Sequence, residues 1–164
     1  MQSAVRLGDR RIVRGSGAGL RRSHDKLDYQ DGWNGSVSAE QDDFLGPSTF
    51  VRLLGGYEIE DVDVDHLSYT SCHMRIGGYR ELPWGTTLYG QISYKKYDLD
   101  GLYRGALESR DEQRLDATIN LTKRDWSLSG YAPVVTYTCT RNRSNVGFQD
   151  YSAHGINFTV TKKF

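Results

Sequence analysis

Across residues 114–122 the chain alternates without a fault: Leu115, Ala117, Ile119 and Leu121 are apolar, and Arg114, Asp116, Thr118, Asn120 and Thr122 are polar. Successive side chains of a strand point to opposite faces, whereas a helix would scatter these residues around its circumference. The stretch therefore demands a sheet with one wholly apolar and one wholly polar face. Such a sheet must cover its apolar side with a second layer or with lipid.

The same pattern recurs along the chain. Residues 128–140 set Tyr131, Pro133, Val135, Tyr137 and Cys139 on one side, and the link Lys123-Arg124-Asp125-Trp126 predicts a tight hairpin before them. Residues 87–97 set Leu88, Gly90, Ile92 and Tyr94 against Thr87, Gln91, Ser93 and Lys95. Residues 69–80 oppose Cys72, Met74, Ile76 and Gly78 to Ser71, His73, Arg75 and Gly77, and residues 50–60 oppose Val51, Leu53, Gly55, Tyr57 and Ile59 to Arg52, Gly56, Glu58 and Glu60. Residues 33–41 alternate more weakly, and residues 10–22 form a Gly-rich, poorly patterned first strand. The final stretch, residues 151–164, places His154, Ile156, Phe158, Val160, Lys162 and Phe164 on one face. It looks like the closing strand of an outer-membrane barrel, with Phe158 and Phe164 as the insertion signal; an ordinary edge strand is the alternative.

These eight candidate strands fit a single domain, residues 1–164, of antiparallel up-and-down transmembrane β-barrel type, either closed or part of a larger barrel. Links alternate in length: 44–48, 81–86 and 123–127 are short, while 23–32, 60–66, 98–112 and 142–150 are long and polar. Outer-membrane barrels have short periplasmic turns and longer outer loops, and with an even strand number both termini fall on the short-turn side. Trp84 and Trp126 at short turns, Trp33 at a strand start, and Tyr57, Tyr69, Tyr94 and Tyr137 toward the long-loop ends suit the two membrane interfaces. Arg75, Arg114 and Asp116 fall on polar faces, where a lumen would solvate and pair them, as do Glu40, Asp42, Arg52, Glu58 and Lys95.

Composition narrows the partners. With 21 basic and 21 acidic residues and a pI near 6.9, no whole-molecule field favours nucleic acid. A hydrophobic share of 37% is modest for a soluble core, while 18 Gly, 11 Tyr and only 3 Pro suit strands rather than disorder. No run reaches the roughly 20 apolar residues of a membrane helix. The start, MQSAVRLGDRRIVRGSG, lacks the apolar core of a signal peptide, so an exported chain is expected here to be a mature form or a piece of a longer one. Cys72 and Cys139 lie on strands separated by two others; small, mostly buried thiols are expected rather than a disulfide.

No catalytic motif stands out. His24, His66, His73 and His154 have no metal-ligand spacing, and Ser71 with His73 is the weak basis for a barrel-wall hydrolase. The acidic run over residues 58–65 reads as a solvated loop rather than a calcium loop, since it lacks the mid-loop Gly. No cofactor, metal or chemical step is expected.

Arg110-Asp111, the strand after them, LTKRDW, and then Gly130, Pro133, Arg143-Ser144-Asn145, Asp150-Tyr151 and the closing Lys163-Phe164 resemble the carboxyl-terminal end of the surface lipoprotein assembly modifier family. The specific part covers the last third. The resemblance implies a periplasmic helical repeat followed by a larger outer-membrane barrel, which helps move lipoproteins to the cell surface. This chain has no helical repeat and fewer strands, and Lys162 stands where a closing strand is usually apolar. The partners so implied are outer-membrane lipids, the barrel insertion machinery and surface lipoproteins. Alternatives are a small barrel acting as adhesin, porin-like protein or structural anchor, and the hydrolase.

Overall fold

A computed structural model of the chain describes residues 2–6, 8–22, 31–63, 68–102 and 109–162. Among them the chain forms nine strands: β1 (Gln2–Arg6), β2 (Arg11–Arg22), β3 (Gly32–Gly46), β4 (Thr49–Val62), β5 (Tyr69–Leu82), β6 (Thr86–Leu102), β7 (Ser109–Lys123), β8 (Tyr131–Ser144) and β9 (Tyr151–Lys162). One short 3₁₀ turn, Gly147–Gln149, precedes β9. Each strand pairs antiparallel with the next, in the single order β1 to β9, and β9 does not return to β1. The fold is thus all-β, antiparallel and up-and-down, as expected, but it is an open sheet.

Three sequence expectations need correction. The strands number nine, because a stretch of only five residues, Gln2–Arg6, too few to show an alternation, pairs with Ile12–Ser16 of β2. β1 starts level with the middle of β2, Gln2 opposite Ser16, and runs toward the short-link end. The link from β7 to β8 is also longer than a tight hairpin, covering residues 124–130. Inside it Leu128 and Tyr131 bond each other across Ser129 and Gly130, whose positive φ values of 52° and 81° supply a second small turn. Residues 98–102 and 109–112, expected in a loop, instead prolong β6 and β7 through a bulge.

Register makes the faces continuous from strand to strand. Val37 pairs with Tyr57, Tyr57 with Cys72, Ile76 with Ile92, Ile92 with Ala117, Ile119 with Tyr137 and Val135 with Phe158. On the other face Glu40 pairs with Leu54, Glu58 with Ser71, Ser93 with Asp116, and Asp116 with Thr140. Glycine is needed at one close approach and one turn. A side chain at Gly78 would come within 2.9 Å of the Phe50 carbonyl, and the turn at Trp84-Gly85 uses positive φ at both residues.

The burial pattern is the reverse of a water-soluble protein's. Ala132 is the one buried hydrophobic side chain among the described residues, whereas Asp42, Ser71 and Asn142 are almost wholly enclosed. Met74, Ile76, Ile92, Ile156, Phe158 and Val160 are all more than half exposed. A flat single-layer sheet would expose both faces equally, so this asymmetry means that it curls around its polar side. Lys95 of β6 reaches over β5 to Glu58 of β4, 3.1 Å away, although strands two apart are spaced about 9.6 Å in a flat sheet.

Candidate functional site

The polar face carries a wall of paired charges. At its β2–β4 end Asp42 accepts from Arg14 Nη1 at 2.6 Å and from Arg52 through Nε at 2.6 Å and Nη2 at 2.9 Å. Arg14 also donates to Glu40 at 2.7 Å, so two guanidinium groups and two carboxylates tie three strands together. Bidentate donation of this kind holds a buried carboxylate firmly because both its oxygens are satisfied. Toward the long-loop end, Glu58 accepts from Lys95 Nζ, from the Tyr69 hydroxyl and from Asn34 Nδ2, each at 3.1 Å. The Lys95 ammonium also lies 4.4 Å from the centroid of the Tyr97 ring. On the far side, Arg114 donates to Asp116, which also accepts from Thr140 Oγ1 at 2.6 Å.

Arg114 and Asp116 thus stand on the polar face as a bonded pair, and Arg75 stands on the same face, exposed and without a hydrogen bond or ion pair among the described residues. From Asp116 toward the short-link end the wall of β7–β9 is uncharged, while the ion-paired Arg110 and Glu112 lie on the same face toward the long-loop end. Thr118, Asn120, Thr136, Thr138, Asn157 and Thr159 line it, so a chain lying there meets hydroxyls and amides.

The opposite face carries a belt. On β7 the outward residues Gln113 and Lys123 bracket Leu115, Ala117, Ile119 and Leu121. Ten residue steps span about 33 Å along a strand and roughly 25 Å along the normal at a tilt of about 40°, the height of an outer-membrane apolar band. Asp43, Arg80 and Lys162 mark the same border on one side, and Arg21, Asp61, Lys96 and Arg141 on the other.

Trp84 and Trp126 stand 84% and 72% exposed at the short-link end, and Trp33, at the other end, donates from Nε1 to Asp61 at 3.2 Å. Tyr57, Tyr94 and Tyr137 are exposed on the apolar face. Tyr69 is a correction: its parity turns it to the polar side, where its hydroxyl serves Glu58. Phe158 projects from the apolar face of β9, 75% exposed; Phe164 lies outside the described residues.

Both cysteines are free, but Cys72 is exposed and Cys139 half-buried, against the expectation of buried thiols. Both lie on the apolar face, which is the outer face of the curled sheet. His24 and His66 lie outside the described residues. Ser71 Oγ and His73 Nδ1 are both enclosed without a hydrogen-bond partner, so they form no nucleophile and base pair. Residues 58–62 of the acidic run belong to β4 rather than a loop, and no group of three His, Cys, Asp or Glu among the described residues is arranged to hold a metal ion. No described helix is long and apolar enough to cross a membrane, which says nothing of crossing by strands.

Sequence reasoning missed Asn34, whose amide supports Glu58, and Asn142, which is buried and donates to the Gln149 carbonyl at 2.9 Å. Parity puts Asn34 on the polar face, and its partner Glu58 lies on the next strand; Asn142 falls at the start of the expected long link 142–150, and its partner lies in the 3₁₀ turn of that link, so neither bond could be read from alternation. The family model described as surface lipoprotein assembly modifier matches residues 7–164, far more than the last third that the motifs covered. No curated protein and no solved structure matches the chain.

Proposed function

Taking as premise that the chain belongs to the surface lipoprotein assembly modifier family, we propose that its sheet is wall of an outer-membrane β-barrel that helps deliver lipoproteins to the cell surface without a chemical step. The observation that carries this reading is the inverted burial: a continuous exposed apolar belt about one bilayer core high, backed by an enclosed wall of paired charges. In water that belt would be a large uncovered apolar patch, which soluble monomers rarely tolerate. In a bilayer it is solvated by acyl chains.

The arrangement suits a lipidated substrate. Its polypeptide keeps to the polar side, where Arg75, Arg114 and Asp116 face the lumen and the Thr and Asn wall of β7–β9 offers hydrogen bonds without a trapping charge. Its acyl chains stay on the apolar side. The two faces meet only at an edge of the sheet, so the lipid anchor need not cross the polar interior. Phe158 on the last strand, with Phe164 after it, serves the insertion machinery, and Trp33, Trp84 and Trp126 settle the wall at the two interfaces.

The test is expression behind a cleavable secretion signal in a Gram-negative host alongside an epitope-tagged lipoprotein. The expected result is the chain in the outer-membrane fraction and tag exposed to added protease only in its presence. Outer-membrane location with no change in tag exposure would leave the anchor reading in its place.

A further inference from the structure

Toward the long-loop end the outward face of β8 turns basic: Tyr137 and Cys139 are followed by Arg141 and Arg143. In register, Gln113 of β7 stands beside Arg143 and Ser152 of β9 beside Arg141. Both arginines are exposed, and neither has a hydrogen bond or ion pair among the described residues. We infer that the two form a binding site for a phosphate monoester on a lipid headgroup of the outer leaflet. The inference rests on the membrane reading above, with the long-loop end as the outer one.

Depth, charge and neighbouring groups carry it. Arg141 stands at the border of the apolar belt, and Arg143 is two residues farther out. That step is about 6.6 Å along the strand and roughly 5 Å along the normal at a tilt of about 40°. It ends within the headgroup layer, which is about 5–7 Å deep on each side of the hydrocarbon. Other cations on this face are answered by carboxylates: Arg11 by Asp43, Lys123 by Asp125, and Lys96, in one row with Gln113 and Arg143, by Asp98 at 2.6 Å. The carboxylates bordering the two arginines do not do the same. Asp111 lies farther out, its backbone bonded to Asn145, and Asp150 precedes β9; neither pairs with Arg141 or Arg143 among the described residues. Two planar guanidinium groups one strand step apart offer donors enough for the three terminal oxygens of a phosphate monoester, whereas a diester presents only two. Below them the polar character continues into the belt. His154, beside Cys139 and two residues inside the border, shares a hydrogen bond of 2.8 Å between Nδ1 and the Tyr137 hydroxyl. The pair lies at the depth of the polar groups that join a lipid phosphate to its acyl chains.

The experiment refolds the full chain into phosphatidylcholine vesicles doped with lipid A, whose sugars carry phosphate monoesters, or with phosphatidylglycerol, a diester, at equal surface charge. Protein that floats with the vesicles is labelled with the arginine reagent phenylglyoxal, and each site is followed by mass spectrometry. With lipid A, labelling of Arg141 and Arg143 should be slower by about tenfold than with phosphatidylglycerol, the factor of one charge-assisted hydrogen bond. Arg75 on the polar face and Arg80 at the opposite border should label alike in both. Equal slowing by phosphatidylglycerol, or equal slowing at Arg80, would mean attraction to a charged surface and overturns the site. The same protection from inorganic phosphate added to plain phosphatidylcholine vesicles overturns the lipid assignment. Protein that does not float overturns the membrane reading as well. The double variant Arg141→Gln with Arg143→Gln checks the site separately: lipid A should raise the urea midpoint of the parent above its value with phosphatidylglycerol and leave the variant's unmoved. An equal rise in a variant that floats and keeps its heat-modifiable mobility counts against the two arginines.

Discussion

Ile92→Arg is the sharpest perturbation of the belt. Ile92 is 52% exposed on the apolar face, flanked in register by Ile76 and Ala117, and lies one residue from the midpoint between the outward residues Thr86 and Lys96. If that face meets acyl chains, an arginine there sits near the bilayer midplane, where the penalty is about 2–4 kcal/mol. Half of the Ile92 side chain is already shielded by neighbours, and a long guanidinium stem reaches toward the border, so the lower half, about 2–3 kcal/mol, is expected. That is a loss of roughly 30- to 150-fold in the folding equilibrium. Thr86→Arg, on the same strand and face but at the border, should lose about 0–1 kcal/mol. Folding of each variant into vesicles, followed by tryptophan fluorescence against urea and by heat-modifiable mobility, measures the difference. If Ile92→Arg folds as well as Thr86→Arg, the apolar face does not meet lipid and the reasoning fails.

Three further outcomes follow from the geometry. Asp42→Ala leaves the Arg14 and Arg52 guanidinium groups facing each other across a vacated carboxylate; because both arginine side chains are 41% exposed, the loss should be about 1–2 kcal/mol rather than the figure for a fully buried pair, read as a lower urea midpoint at unchanged slope. Gly78→Ala brings a methyl within 2.9 Å of the Phe50 carbonyl and should destabilise by about 1–2 kcal/mol, whereas Gly90→Ala, its neighbour in register with open space around it, should stay within about 0.5 kcal/mol of the parent in the same titration. Cys72 should react with a membrane-impermeant maleimide in urea and be protected in vesicles, since its exposed face is the lipid-facing one; equal labelling in both states would contradict that assignment.

Much of this protein is written locally. A strand's side chains alternate at every residue, so Leu115 to Leu121 and Leu88 to Tyr94 declare their faces without reference to any other strand. The placement of Arg75, Arg114 and Asp116 on one side and of Phe158 on the other comes from the same parity. What parity leaves open is which side becomes the interior. Read as a soluble protein, the apolar side with Cys72 and Met74 would be the core, and curvature of the whole sheet makes it the exterior. Curvature is a property of nine paired strands, so no single segment reveals it. Pairing partners are likewise non-local: Lys95 meets Glu58 across an intervening strand, and Gln2–Arg6, with no pattern of its own, is a strand only because β2 offers it an edge. The sequence by itself therefore determined the strands and their two faces, through a period of two residues. Tertiary structure decided which face is outside and which side chains meet across strands, because both depend on the curl of the paired sheet.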